Sequence, residues 1–187
     1  MALTPLSQAL PQILATIQSS PDTETVTLAD AAGRYAAKAV QSSVAVPPAD
    51  NSAMDGYAVR AKDVPGDLVV SQRVPAGHLP VSLAPGTAAR IFTGAEIPAG
   101  ADAVILQEDA EPLSARVCLP AAREGQHIRR RGSDILAGDQ LIATGRCLQP
   151  QDIGLLASVG INAIEVYRPL RVAMLTTGDE LREPGSG

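Results

Sequence analysis

The sequence predicts a β-rich α+β chain, and three observations carry that prediction. From Pro47 to about Leu136 short apolar runs recur, separated by Gly and Pro groups such as Pro65-Gly66, Pro85-Gly86 and Pro98-Ala99-Gly100; this is the rhythm of short strands joined by tight turns. Helical periodicity is confined to two places, near the N-terminus and after Pro150. An apolar run from Arg171 to Leu175 meets the polar Thr176-Thr177-Gly178-Asp179-Glu180, which is how an open α/β sheet begins.

The elements follow in order. Leu6, Ala9, Leu10, Ile13, Leu14 and Ile17 recur at three and four residues and mark one helical face. Ser7 is the expected cap, which puts Pro11 at the edge of the first turn; Pro21 ends the pattern. A short strand is expected at Thr25–Leu28, then a helical turn over Ala29–Ala32 closed by Gly33 in a left-handed conformation. Tyr35–Val46 alternates loosely and reads as a strand. Strands are expected in the Pro47–Leu136 stretch at Tyr57–Val59, Leu68–Val74, Ala88–Phe92, Ala103–Leu106, Arg116–Leu119 and His127–Ile128. Gln140–Ala143 follows as a strand, then a helix bounded by Pro150 and Gly160, then a strand over Asn162–Tyr167.

Composition narrows the function. The 187 residues include 16 glycines and 15 prolines, and 45% are hydrophobic, which excludes a disordered chain, a collagen-like repeat and a coiled coil. The aromatic residues are only Tyr35, Tyr57, Tyr167 and Phe92, too few for a stacking platform that binds single-stranded nucleic acid. Fifteen bases against twenty acids give −5, so nothing draws the chain to polyanions, and no nucleic-acid partner is expected. Cys118 and Cys147 make neither a disulfide framework nor a metal motif. No run is long enough to span a bilayer and no basic residue precedes Arg34, so the expectation is a cytoplasmic protein with no membrane partner.

The densest candidate segment is Pro47-Pro48-Ala49-Asp50-Asn51-Ser52-Ala53-Met54-Asp55-Gly56-Tyr57-Ala58-Val59. Taken alone it reads as a well-formed loop, because Asp, Asn and Ser bond their own backbone in turns and Asp55-Gly56 is a common turn pair. The sharper reading is a stiff loop that fixes Asp55 as a metal ligand or proton-transfer group. Thr93-Gly94 sits at an expected strand end. It is either an ordinary turn or a hydroxyl with adjacent backbone N–H groups offered to an anion. Arg129-Arg130-Arg131 is the one basic cluster. If extended, Arg129 and Arg131 share a face opposite Arg130. The cluster is either salt-bridged locally, with Asp134 at hand, or a clamp for an oxyanion such as phosphate. His78 and His127 have no companion at metal-ligand spacing, and Glu108, Asp109 and Glu111 read as a solvated loop.

Asp50 to Val59 resembles the defining motif of the molybdopterin molybdenumtransferase family, MoeA in bacteria and the E-domain of gephyrin in animals. Further matches follow in the family's order: Ala32-Gly33-Arg34, Arg90-Ile91-Phe92-Thr93-Gly94-Ala95, Pro98 to Val104, Ile128 to Ile135, Ala157 to Ile161 and Thr177-Gly178-Asp179-Glu180-Leu181. The resemblance implies an N-terminal helix over 1–20 that packs near a third domain, an elongated first domain from 21–46 and 137–170, an inserted β-rich second domain over 47–136, and in 171–187 the first strand of a truncated α/β third domain. It implies the enzyme that inserts molybdate into adenylylated molybdopterin and releases AMP with Mg²⁺ assisting. On it, the chain is the N-terminal part, inactive alone. It implies a homodimer fed by an upstream MogA-like molybdopterin adenylyltransferase. By position it implies catalytic roles for Asp55, Thr93, Asp134 and Glu180, metal ligation by Asp55, Asp134 and Glu180, and substrate binding by Asn51, Ser52, Gly94, Arg129, Arg130, Arg131 and Asp179. The alternative within the same fold is a non-catalytic, gephyrin-like scaffold.

Overall fold

In the computed structural model the described residues are 4–16, 22–174, 176–178, 180–182 and 184–185. The chain divides into two compact units, one from residues 1–39, 142–157 and 161–187, the other from residues 40–141 and 158–160.

In the first unit, α1 spans Leu6–Thr16. The Pro5 carbonyl accepts from the Gln8 and Ala9 N–H groups at 2.9 and 3.0 Å, so the helix begins at Pro5. Ser7 is therefore inside the first turn and caps nothing, and Pro11 lies within the helix, where it removes one ladder bond. Leu6, Leu10, Ile13 and Leu14 fall on one face as their spacing requires, and that face is exposed. Ile17 and Pro21 lie outside the described residues. β1 (Thr23–Thr27) pairs antiparallel with β12 (Ala163–Tyr167), and a 3₁₀ turn over Leu28–Asp30 follows β1. Gly33, at φ 78°, donates its N–H to the Leu148 carbonyl at 2.8 Å. Ala31, Ala36, Leu148, Leu156, Ile164 and Val166 form the buried interior.

α2 (Pro150–Ser158) shows why its limits are legible. Pro150 takes the first helical position. Asp152 reaches back to the Gln149 N–H at 2.9 Å, half of a capping box. Its carboxylate also accepts Arg146 Nε at 3.0 Å and Nη2 at 2.9 Å. At the other end Gly160 has φ 82° and the Ile161 N–H donates to the Leu156 carbonyl at 3.1 Å, the closing bond of a Schellman motif.

Two expected strands differ. The Tyr35–Val46 stretch is not continuous: Tyr35 and Ala36 make isolated bridges, β2 is only Val40–Gln41, and Ser42 interrupts it. The Ser42 hydroxyl donates to the Val44 carbonyl at 2.7 Å, a local turn that competes with a ladder. Residues 171–174 form no strand, and Val172 and Met174 are exposed. An apolar run becomes a strand only where a neighbour supplies ladder partners, and the described residues supply none to this run. Leu175 lies outside the described residues.

The second unit is built on a six-stranded sheet, in the order β7 (Ala103–Leu106), β4 (Gly56–Val59), β6 (Thr87–Ile91), β5 (Gly66–Val74), β9 (Arg116–Leu119), β8 (Glu111–Leu113). All neighbours are antiparallel except β5 and β6. Both faces of the central strands are covered. Tyr57, Val59, Ala88, Ala103 and Ile105 pack into one cluster, and Ala58, Ala89, Ile91 and Val104 into the other, as a period of two requires. Double burial explains why these strands read as short unbroken apolar runs. β2 pairs with β11 (Gln140–Ile142), and β3 (Asn51–Ser52) pairs with β10 (Ile128–Arg129). The bonds Val46–Pro47 and Val64–Pro65 are cis.

Candidate active site

The expected loop at Asp50–Asp55 is pinned residue by residue within the second unit. The Ser52 N–H donates to the Ala95 carbonyl at 2.8 Å, and the Ser52 carbonyl accepts the Gly94 N–H at 2.9 Å. The Ile97 N–H donates to the Asp50 carbonyl at 2.8 Å. Ser52 is 1% exposed, and its hydroxyl donates to the Met54 carbonyl at 2.6 Å. Its work is therefore to shape the turn that leads to Asp55.

Asp55 and Thr93 meet, although 38 positions separate them. Asp55 Oδ1 accepts both the Thr93 N–H and the Thr93 hydroxyl, each at 2.7 Å. Asp55 Oδ2 accepts nothing from the described residues. The Thr93 N–H, then its hydroxyl, then the positive charge of Arg90 hold the Asp55 carboxyl below the ordinary carboxylate range. A carboxylate so held is an ionised acceptor near neutral pH and a poor carrier of protons. Of the two roles open in the sequence, that of charged ligand or acceptor fits better than proton transfer. The Thr93 and Gly94 N–H groups are both engaged, by Asp55 and the Ser52 carbonyl, so they are not offered to an anion as expected.

Gly56 and Arg90 fix this geometry. A Cβ at Gly56 would overlap the Ile105 carbonyl oxygen and stand 2.9 Å from its carbonyl carbon, so only glycine fits. Arg90 Nη1 donates to the Gly56 carbonyl at 2.8 Å and the Ile91 carbonyl at 3.0 Å, and Nη2 donates to Gln107 Oε1. Its guanidinium lies 4.5 Å from the Phe92 ring centre and 5.3 Å from that of Tyr57. Arg90 ties the ends of β4 and β6 together beside Asp55. In the sequence it stands only as one member of a motif; the signal that marks it is a charge inside an otherwise apolar, doubly buried strand.

The arginine cluster is paired locally. Arg129 Nη2 donates to Asp134 Oδ2 at 2.6 Å, and Ser133 Oγ donates to Asp134 Oδ1 at 3.2 Å. Arg130 Nη1 donates to Asp50 Oδ2 and the Arg131 N–H to Asp50 Oδ1, at 2.7 and 2.8 Å, and Arg131 Nε donates to the Pro48 carbonyl at 3.0 Å. The alternating faces expected of an extended cluster do not occur. β10 ends at Arg129 and the chain turns, which brings both Arg130 and Arg131 toward the 48–50 loop. Arg129 and Ser133 lower the Asp134 pKa, and Arg131 and Arg130 lower that of Asp50.

Of the metal set named from sequence, Asp55 and Asp134 lie in the second unit. Both Asp134 oxygens are engaged, and among the described residues no three His, Cys, Asp or Glu side chains group as a cation would require. Glu180 lies in the first unit, in the turn where the Leu181 N–H donates to the Gly178 carbonyl at 3.1 Å. Asp179 lies outside the described residues. Asn51 and Gly94 line a shallow recess of about 220 Å³ with Pro48, His78 and Glu96. Among the described residues no helix is long and apolar enough to cross a membrane.

The fold that holds this arrangement, a loop-borne carboxylate locked to the end of a mixed sheet, is that of MoeA proteins. Two crystal structures of molybdopterin biosynthesis MoeA protein from Pyrococcus horikoshii superpose with TM-scores of 0.81 and 0.80, at 38% and 35% identity, over 89% of this chain and 45% and 46% of theirs. Residues 4–160 match the model of the MoeA N-terminal region, domains I and II, and the chain belongs to that family. Proteins named molybdopterin molybdenumtransferase from Nostoc sp. and Haemophilus influenzae are 42% and 39% identical over 88% and 96% of the chain. The chain spans 40% and 46% of their lengths.

Proposed function

We propose that the chain supplies one wall of the active site of a molybdenumtransferase in molybdenum cofactor assembly. The observation that carries this is the Asp55–Thr93 pair, an ionised carboxylate oriented through one oxygen with the other unengaged, within a chain of this family. In the reaction that the family implies, adenylylated molybdopterin and molybdate are the substrates. Water adds to a phosphorus of the anhydride, the bridging P–O bond breaks to give AMP and molybdopterin phosphate, and the two dithiolene thiols take the metal from molybdate as one oxo group leaves as water. Such chemistry rewards fixed charges over mobile ones. Asp55 supplies one such charge, and Thr93 removes its freedom to rotate. In this reading Mg²⁺ assists as an ion carried largely by the substrate phosphates, and no step is assigned to it. The same reading takes 47–136 as an inserted domain of a cytoplasmic homodimer that receives its substrate from an adenylyltransferase. Since the chain spans less than half the length of these relatives, it is expected to release no AMP alone above a no-protein control.

The test is Asp55→Asn in a protein of the relatives' full length. Molybdenum insertion and AMP release are expected to be lost while circular dichroism and native mass stay unchanged. Unchanged AMP release would deny Asp55 that role.

A further inference from the structure

The basic cluster conspicuous in the sequence is engaged internally, whereas a different arginine at the Asp55 edge of the sheet is not. Arg73 lies at the end of β5 and stands in register with Arg90 on β6. The register shifts between Val70 and Gln72, and that shift reverses the alternation of β5. Leu68 and Val70 pack with Tyr57 and Val59, while Val74, an even-numbered residue beyond the shift, packs with Ala58 and Ile91 on the other face. The irregularity thereby places Arg73 on the face of Arg90, which is how such irregularities re-aim a side chain.

Two like charges directly opposite across strands repel. Arg90 is anchored by three acceptors, the Gly56 and Ile91 carbonyls and Gln107. Arg73 has no hydrogen bond or ion pair with any described residue. Its guanidinium lies 4.6 Å from the Phe92 ring centre, on a ring that Arg90 also contacts at 4.5 Å. Stacking restricts the guanidinium while leaving its five N–H donors free. Phe92 immediately precedes Thr93. The loop after Arg73 also closes on the same turn, since a Cβ at Gly94 would stand 4.0 Å from the Ala76 Cβ.

We propose that Arg73 is the oxyanion-binding side chain of this site and takes a tetrahedral oxyanion beside Asp55 and Thr93. The inference rests on the function proposed above and adds a residue to it. A planar, weakly hydrated guanidinium suits bidentate contact with such an ion. Arg73 and Arg90 set two positive charges against one Phe92 ring, a local concentration of positive charge in a chain that carries −5 overall. The oxyanion is a nucleotide phosphate or molybdate, which share this chemistry.

The experiment is calorimetric titration of the 187-residue chain with AMP and, separately, with sodium molybdate, at low and at high salt. Saturable, salt-sensitive binding of at least one is expected, and which one binds identifies the source. Arg73→Ala is expected to weaken it about tenfold or more, equivalent to about 1.4 kcal/mol, and Arg73→Lys to restore it only in part. Arg123→Ala, at an exposed arginine away from this edge, is expected to change nothing, and circular dichroism is expected to show both Arg73 variants folded. Absence of binding to either ion, or equal binding by Arg73→Ala, overturns the inference. That failure is separable from failure of the proposed function, which is read from AMP release by the full-length Asp55→Asn protein.

Discussion

Replacing Gly56 with alanine probes the construction of the site. The new Cβ would overlap the Ile105 carbonyl oxygen and lie 3.2 Å from the Leu106 Cα, so β4 and β7 must part by about 1 Å at that end. Gly56 pairs with Leu106 and Tyr57 with Ile105, and Ile105 is 1% exposed, so no solvent gap exists to absorb the shift. Forced overpacking of this kind costs about 1–3 kcal/mol. Parting the strands also weakens one or two backbone hydrogen bonds at about 1 kcal/mol each, among them the Gln107 N–H to Asp55 carbonyl bond at 3.1 Å. The sum is about 2–5 kcal/mol, a large share of the roughly 5–15 kcal/mol available to a typical domain. At a urea dependence of about 1–3 kcal/mol per molar, the unfolding midpoint falls by more than about 0.7 M. Equilibrium urea unfolding followed by circular dichroism measures it. A midpoint within about 0.3 M of the parent's would refute the close-approach argument.

Thr93→Val is expected to raise the Asp55 pKa toward the ordinary carboxylate range, because it removes one of the two Thr93 donors, while Thr93→Ser leaves it low; carboxyl carbon NMR across an acid titration checks both. Asp152→Ala is expected to destabilise by about 2–3 kcal/mol, because it removes a cap and leaves the Gln149 N–H and the Arg146 guanidinium without their acceptor; urea unfolding reads the loss. Asp50 is held below its ordinary pKa by the Arg131 N–H and Arg130, so its stabilising contribution is complete above the unfolded-state carboxylate pKa and fades as pH falls through the lower folded value. Unfolding midpoints measured from neutral to acid pH should therefore fall less steeply for Asp50→Asn than for the parent.

How much of the molecule the sequence disclosed depended on whether the deciding interaction was local. β7 and β9 appear where their apolar runs place them, because both are short stretches bounded by turn residues. α2 is bounded as expected because Pro150, Asp152 and Gly160 act within one turn of its ends. β8 carried no pattern: Glu111, Pro112 and Leu113 are all exposed on an edge strand, where alternation has nothing to enforce it. At the site, Asp55 and Thr93 were legible as residues but their meeting was not, since it depends on the register of β4 against β6. The Arg130–Asp50 pair, 80 positions apart, is of the same kind. Local charge counting showed three adjacent cations, whereas tertiary pairing shows three arginines already provided with acceptors.

That contrast bears on how such a site works. An arginine held by several protein acceptors contributes shape and a fixed field; one with none can gain them from a ligand. Arg90 is of the first kind, and it binds the carbonyl of the residue next to Asp55, so its charge and its geometry act on the same carboxylate. Lysine at position 90 would keep the charge but could not bond two carbonyls and an amide while lying flat on Phe92. The carboxylate would keep its ionisation and lose its placement. Because fixed dipoles stabilise a transition state only when they need not reorganise, placement is the property on which the proposed chemistry depends. The close approach at Gly56, the double donation from Thr93 and the anchoring of Arg90 all serve to hold one oxygen-bearing group still at the end of a sheet whose two faces are buried.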